Sequence, residues 1–448
     1  MPTLQAGQVA LCLASGPLSG KDLAARLNVS QPTLSRVLTG MDKNLVRIRR
    51  GRTILYALRD TGRGFGDIPV HRVDTEGRIE RIGTLTPVRD AGFVMQDTHA
   101  DSLHSEGLPW WLLDMCPQGF MGRAYARTQA LALGLPSSLK DWSDTHAVRA
   151  LLAHGHDVTG HLLLGDLARE RFLEAPPRAP IAAHERGSTY AQRSEAVIAD
   201  DETWSSAGGE QPKFTAYAQT PHGPRHVIVK FTVSADNEVT QRWRDLLLCE
   251  HHALATLAAA GVPAASTRIL DFGAQRFLEV ERFDRVGLRG RRGLVSLSAV
   301  DSHFTGLAKQ AWPVVTRALA DEGHITPNAH RAATLLYAYG CLIGNTDMHH
   351  GNLAFLNTTG QPYELAPAFD MLPMAFQPHS GGLIVNTIHP VALHPEVPAT
   401  TWRTALTLAR SCVARLQSEA RLSTAFSPCL DALTAHIEGM ARKIGLLV

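Results

Sequence analysis

At 448 residues the chain is too long for one ordinary domain, and about two to four are implied by a length of this order. Its 44 Lys and Arg against 42 Asp and Glu leave it close to neutral, which excludes a global electrostatic field for nucleic acid or membrane. The charge is unevenly spread: residues 1–60 hold nine basic and three acidic side chains, so an anion-binding module is expected there, while the rest of the chain is net negative.

The six cysteines, Cys12, Cys116, Cys249, Cys341, Cys412 and Cys429, are scattered without a CxxC pair or a CxxxH spacing. That argues against a disulfide framework or a structural zinc. The opening "MPTLQAGQVALCLASGPLSG" has no basic stretch ahead of its apolar residues, and no run approaches the roughly 20 apolar residues of a membrane span. A soluble, cytoplasmic protein with no membrane partner is expected.

In chain order, the first predicted helix covers about Ala6 to Ser15. Ser19 and Asp22 begin a second, with Leu23, Ala24 and Leu27 on one face. After the tight turn "NVS", Gln31-Pro32 opens a third, with proline in the first turn where its missing N–H costs little. "LVRIRRGRTILYAL" then alternates apolar and basic residues around Gly51, as a two-stranded hairpin does, and presents Arg47, Arg49, Arg50 and Arg52. The stretch resembles the winged helix-turn-helix domains of bacterial regulators over about 55 residues. The resemblance implies DNA binding, with Gln31, Thr33, Ser35 and Arg36 facing the major groove and the wing arginines meeting phosphates. The alternative is a small helical domain whose basic hairpin makes protein contacts.

Residues 61–190 say less. "HRVDTEGRIERIGTLTPVRDAGFVM" reads as several short strands, Trp110 and Trp111 as core or domain-interface residues, and "EAPPRAPIAAHERG" as a Pro-rich surface connection.

Four later pieces carry chemistry. In "SSAGGEQPKFTAY" the adjacent Gly208 and Gly209 let backbone N–H groups approach an anion, and Lys213 adds charge, although an ordinary hairpin turn explains the segment equally well. "RHVIVKFTV" is a buried-strand run interrupted by Lys230, which is expensive to bury unless something negative meets it. Twenty residues on, Glu250 in a helical segment offers the partner, and a strand lysine paired with a helix glutamate is how protein kinases hold nucleotide phosphates. "RFLEVERFDR" is a strand ending in a polar and aromatic cluster. If it leads to an interlobe hinge, the backbone near Glu281 and Phe283 borders an adenine pocket.

The fourth piece is "GNTDMHHGN" with the later "LAPAFDMLP". Phosphoryl transfer needs a carboxylate to accept the hydroxyl proton, and an amide with a second carboxylate to hold Mg²⁺. Asp347, Asn352 five residues later and Asp370 eighteen residues after that supply these groups in order, with a strand expected between. Zinc fits poorly, because His349 and His350 are adjacent and cannot share a helix face.

Together "SSAGGEQPKF", "VIVKF", "VERFDR", "GNTDMHHGN" and "APAFDMLP" resemble the signature segments of the HipA-like serine/threonine kinases, the toxin class of bacterial toxin–antitoxin pairs, over roughly residues 65–440. The resemblance implies ATP and Mg²⁺ as cofactors. By it Lys230 contacts the ATP phosphates with Glu250 as ion-pair partner, and Glu281 and Phe283 lie at the adenine hinge. Asp347 is the catalytic base with His349 beside it, and Asn352 and Asp370 bind the metal. It also implies a self-inactivating phosphorylation just before the Gly-rich segment: counting back from Lys213 favours Ser206, and anchoring on Ala207-Gly208 favours Ser205. A doubly charged phosphate there opposes the phosphate-binding role of the same loop.

Family members ordinarily rely on a separate antitoxin for DNA binding, whereas here residues 1–60 place a DNA-reading pattern in the same chain, so the need for that partner is open. The resemblance implies a protein substrate, for which a translation component such as an aminoacyl-tRNA synthetase is a known kind of target in the family, and nothing in this chain selects one.

The expected architecture is α+β, with a two-lobed protein-kinase-like fold of mixed N-lobe and helical C-lobe preceded by a small winged helix-turn-helix domain. Its expected boundaries are 1–62 for the DNA-binding domain, 63–285 for the N-terminal lobe and 286–448 for the C-terminal lobe. Two rival functions stand beside the kinase: a small-molecule phosphotransferase of the aminoglycoside or choline kinase kind, and a transcription regulator whose kinase-like region senses nucleotide.

Overall fold

Capping residues start the first elements where the sequence puts them. In this computed structural model, which describes residues 5–98, 101–176, 178–199, 211–358, 360–379 and 381–447, α1 covers Ala6–Leu13. After the short β1 (Leu18–Ser19), Ser19 caps α2 (Gly20–Leu27) by accepting from Asp22 N, and Ser30 caps α3 (Gln31–Gly40) by accepting from Thr33 N. The basic hairpin is β2 (Leu45–Arg50) and β3 (Thr53–Leu58), turning at Gly51 with φ +58° and taking β1 on the far side of β3.

The chain forms two compact units, one of Met1–Asp74, Arg78–Cys116 and Lys140–Pro176, the other of Thr75–Gly77, Pro117–Leu139 and Pro177–Val448. In the first, β4 (Ile68–Val73), β5 (Ile79–Val88), β6 (Gly92–Asp97) and β7 (Leu103–Ser105) are the short strands expected from sequence. The chain then lends α4 (Gly119–Leu133) to the second unit and returns with α5 (Asp144–His154), β8 (Leu162–Leu164) and α6 (Gly165–Glu174). The result is a five-stranded antiparallel sheet ordered β7-β6-β5-β4-β8, whose apolar face packs Val70, Leu85 and Phe93 against Val148 and Leu151, with Trp111 at the edge.

The basic hairpin is fused to that sheet. Val46, Ile48 and Ala57 bury one face against Val88 and Val94, and strand alternation puts Arg47 and Arg49 on the other. Arg63 pins the junction: it is buried, donates to the carbonyls of Val88 and Gly92 and lies over the ring of Phe93.

Besides α4, the second unit holds α7 (Arg186–Ala199), followed by β9 (Lys213–Thr220), β10 (Gly223–Phe231), α8 (Glu238–Ala259), β11 (Thr267–Phe272) and β12 (Gln275–Glu281). The four strands make an antiparallel sheet ordered β11-β12-β10-β9. Arg186, Tyr190 and Ser194 recur every four residues and so share one face of α7. Across from them on β12, Glu279 accepts from Arg186 and Tyr190, and Gln275 bonds Ser194.

A small hairpin, β13 (Arg285–Val286) and β14 (Gly290–Arg291), leads to β15 (Leu294–Ser296) and a helical lobe. That lobe holds α9 (Leu297–Phe304), α10 (Trp312–Asp321), α11 (Pro327–Leu342), the strands β16 (Ala354–Leu356) and β17 (Glu364–Leu365), α12 (Ala399–Gln417) and α13 (Ser427–Gly445). Among the described residues no helix is long and apolar enough to cross a membrane.

Helix α8 is buried on nearly every side, which is the pattern of a core helix. Arg242 donates to the carbonyls of Phe376 and Val385 and to Asn386 Oδ1 at 3.1, 3.0 and 2.6 Å. Asp245 accepts from Ser423 N and Oγ, and His252 meets Glu419 at 2.8 Å.

Two groups on this seam make stability depend on pH. Burial pushes the His251 pKa down to about 4 from 6.5, and hydrogen bonds from Arg421 hold Glu419 below its ordinary 4.5. The unfolded chain binds protons more readily at both: the His251 contribution is complete above pH 6.5 and is lost as pH falls towards 4, and that of Glu419 is lost only as pH falls below its ordinary 4.5. The thermal midpoint is expected to fall as the buffer is taken from about pH 8 to about pH 5, and His251→Phe to lose part of that slope. A midpoint flat across the window excludes a buried neutral His251.

Candidate active site

Strand alternation decides which side chains of β10 face the site. Val227, Val229 and Phe231 are buried in the core beneath α7, so Ile228 and Lys230 point to the opposite face. Lys230 stands directly across from Lys213 of β9. Like charges in that position repel and are destabilising unless an anion lies between them.

Anions are present. Lys230 Nζ donates to both carboxylate oxygens of Glu250 on α8, at 2.7 and 2.8 Å, and also contacts Asp370 Oδ1. Lys230 is 7% exposed and Glu250 1%. Burial alone would strip the lysine's proton, but Asp370 and Glu250 outweigh it and hold its pKa above the ordinary value. For Asp370, burial favours the neutral acid and is overcome by Lys230, then Lys213, with His349 contributing, so the carboxylate is kept ionised. These couplings bring Lys213, Lys230, Glu250, His349 and Asp370 into one cluster.

The loop "GNTDMHHGN" leaves α11 through Gly344, whose φ of +74° reverses the chain. Asn352 Nδ2 donates to Asp347 O at 2.8 Å, drawing the two ends of the Asp347-to-Asn352 stretch together. Trp312 Nε1 donates to His349 O at 3.3 Å. His350 turns the other way, to the Gln310 carbonyl at 2.8 Å and to Asp301, which is 3.6 Å away and buried. The two histidines therefore serve different partners. Met348 fills the space that Gly340 leaves open on α11: a Cβ there would lie 2.3 Å from Met348 Sδ. The Asp347 side chain is 52% exposed and lies 4.0 Å from His349 Nε2.

β16 is the strand expected between Asn352 and Asp370. After β17 the chain pairs Ala368 with Ala264 and then turns sharply, with Asp370 at φ +50°. A non-glycine residue in that left-handed region costs about 1–3 kcal/mol and persists only where its surroundings hold it. Lys230 on the carboxylate and Asn345 on the carbonyl, at 3.4 Å, do so.

At the end of β12 the Glu281 backbone N–H donates to Ser266 O and its carboxylate accepts from His222, while the Phe283 ring lies 5.9 Å from that of Phe369, next to Asp370. Gly208, Gly209, Ser205 and Ser206 lie outside the described residues.

Several functional neighbours had no assigned role in the sequence reading. Asn345 was within the quoted motif but was given none, and Ile228 follows from alternation two residues before Lys230. Asp301 and Trp312 lie too far along the chain for any spacing rule to join them to the loop.

A sheet lysine held by a helix glutamate, over a helical lobe that presents an Asp-Asn loop and a turned Asp, defines a two-lobed kinase-like fold. Residues 65–173 match the family described as YjjJ-like toxin, middle domain, and residues 205–436 match the HipA-like C-terminal domain. The chain is 36% identical over 434 residues to the toxin YjjJ of Escherichia coli strain K12, an alignment covering 96% of this chain and 97% of that protein. It belongs to the HipA-like toxin family.

Among solved structures, a chain of the Shewanella oneidensis MR-1 toxin–antitoxin system HipA, HipB and operator DNA complex superposes with a TM-score of 0.54 at 15% identity, covering 84% of this chain and 97% of that one. The Helicobacter pylori proinflammatory kinase CtkA gives a TM-score of 0.38 at 15% identity, over 55% and 96% of the two chains.

Proposed function

We propose that this protein is an ATP- and Mg²⁺-dependent serine/threonine protein kinase of HipA-like toxin type that carries its own DNA-binding module. The observation that carries the proposal is the cluster of Lys213, Lys230, Glu250 and Asp370. Two lysines face each other across β9 and β10, and both carboxylates bond Lys230, while the Lys213 side chain makes no hydrogen bond or ion pair among the described residues. A polyphosphate would give Lys213 the anion that it lacks.

On this reading Lys230 and Lys213 hold phosphate oxygens, together with the N–H groups of Gly208 and Gly209. Phe283, and Glu281 with its hinge backbone, border the adenine. Asn352 and Asp370 offer one amide oxygen and one ionised carboxylate. That donor set fits Mg²⁺, which takes a few protein oxygens and completes its shell from phosphates and water. Among the described residues no group of three His, Cys, Asp or Glu forms an all-protein metal cage. When bound, the ion supplies charge neutralisation on the phosphates.

The residues of the chain do the remainder. Asp347 accepts the proton of the attacking serine or threonine hydroxyl, whose oxygen bonds to the γ-phosphorus as the bond to the β–γ bridging oxygen breaks and ADP leaves. His349 steadies the charge near Asp347 and Asp370. The self-inactivating phosphorylation that the family resemblance implies falls on Ser206 or Ser205.

The test is transfer of labelled γ-phosphate from Mg-ATP to the purified full chain, with the site mapped by mass spectrometry. Label on Ser206 or Ser205 is expected. ATP binding without any label overturns the protein-kinase reading in favour of a small-molecule kinase or a nucleotide sensor.

Residues 1–62 form the proposed DNA-binding domain. In support, Gln31, Ser35 and Arg36 are exposed on α3 with Thr33 half-buried, and Arg49, Arg50 and Arg52 are exposed on the hairpin. Each phosphate contact contributes about 0.9 to the slope of log affinity against log salt. Replacing Arg49, Arg50 and Arg52 by Gln is therefore expected to reduce that slope by about 2 to 3 on any short duplex. An unchanged slope excludes the hairpin as a phosphate-binding wing.

A further inference from the structure

The two carboxylates that the kinase reading needs, Asp347 and Asp370, come from separate loops, and one side chain bonds to the backbone of both residues. Asn345 Oδ1 accepts from Asp347 N at 3.0 Å. Its Nδ2 donates to Asp370 O at 3.4 Å and contacts Met371 Sδ at 3.6 Å. The residue is 4% exposed, so these bonds face little competition from water. Its own backbone N–H donates to Gly340 O at 2.9 Å, which fixes it to the end of α11.

An amide is suited to this place, because the site asks for an acceptor on one side and a donor on the other. An ionised carboxylate only accepts, and an apolar side chain does neither. The two contacts also fall on the most demanding backbone positions of the site: the residue that carries the base and the residue held in a left-handed turn.

We infer that Asn345 is a positioning residue that fixes the distance between the proton-accepting and metal-binding carboxylates, an inference that rests on the kinase reading above. It touches neither substrate nor metal. Its loss lets Asp370 move relative to Asp347, so rate and magnesium requirement change together. A residue needed only for folding would lower thermal stability and the fraction of active protein without changing the magnesium requirement of the molecules that remain folded.

The experiment uses the full chain and measures γ-phosphate transfer to the protein itself as a function of Mg²⁺, for wild type, Asn345→Ala, Asn345→Asp and Asp347→Asn. Asn345→Ala is expected to slow transfer about 100-fold, the effect of a misplacement near 1 Å. It is also expected to raise the half-saturating magnesium about tenfold, as loss of a group orienting a metal ligand does. Asn345→Asp keeps an acceptor for Asp347 N–H but, while ionised, lacks the donor to Asp370. It should match the alanine variant in magnesium requirement and lose less rate.

If Asn345→Ala shows no folding transition, Asn345→Asp decides on the same two readouts. A wild type that transfers phosphate beside an Asn345 variant with unchanged rate and magnesium dependence overturns this inference alone. A wild type that transfers none overturns the kinase reading, and the inference with it.

Discussion

Asp347→Asn is expected to abolish phosphate transfer while leaving ATP binding within a few-fold of wild type. A positioned general base contributes about 10² to 10⁴ in rate, and asparagine, which has nearly the same shape, cannot take the proton. The substitution should leave the loop in place, because two of the contacts that fix it are made by the Asp347 backbone: the N–H goes to Asn345 and the carbonyl to Asn352. Transfer rates from single-turnover measurements, set beside ATP affinity from calorimetry, separate the two effects. A transfer rate within about threefold of wild type removes Asp347 from the base role.

Lys230→Met is expected to have the largest combined effect on stability and activity. It removes a buried cation from between two carboxylates and leaves Glu250, 1% exposed, without the donor of its two hydrogen bonds. Breaking a buried pair from one side costs about 3–5 kcal/mol. The sign of the pH dependence is a further check. Burial pushes the Glu250 pKa up even with Lys230 beside it, and the variant loses the partner that opposed the push. A group whose folded pKa is raised destabilises the fold as pH rises through the ordinary carboxylate range. The gap in thermal midpoint between variant and wild type should therefore narrow as pH is lowered towards the ordinary carboxylate range and Glu250 takes up a proton. Transfer should fall at least about 100-fold, because phosphate positioning supplies most of the catalysis in this chemistry. A gap independent of pH argues that Glu250 is not a buried charge in search of a partner.

The parts of the site legible in the sequence were those whose physics is local or strongly periodic. A lysine inside an apolar strand is anomalous enough to require a partner, and the helix twenty residues on supplied one at 2.7 Å. The run from Asp347 through Asn352 to Asp370 could be read because loop, strand and turn follow one another with little room for alternatives, and β16 lies where that spacing put it. The two-lobed α+β fold followed from the same segments.

What could not be read depends on contacts between distant residues. The left-handed conformation of Asp370 is invisible because aspartate does not demand it; Lys230, 140 residues earlier, helps to hold it. The role of Asp301 behind His350 depends on how α9 packs, which no short pattern encodes. The apolar segment around Glu250 announced a helix, but the placing of Arg242 and Asp245 against residues 376–423 required the whole tertiary structure.

Those last contacts have a consequence for how this half of the molecule comes apart. α8 supplies the glutamate that the sheet lysine needs, and on its other sides it is bonded to residues 376, 385, 386, 419 and 423. Neither lobe can shed it without exposing a buried charge. A fragment ending at residue 285 would keep the helix but strip Arg242 and Asp245 of their partners, while one beginning there would have a trench in its core where the helix belongs. The sheet and the helical lobe are in this respect a single melting unit, and the slowest-exchanging amides of both should open together, in the same global event.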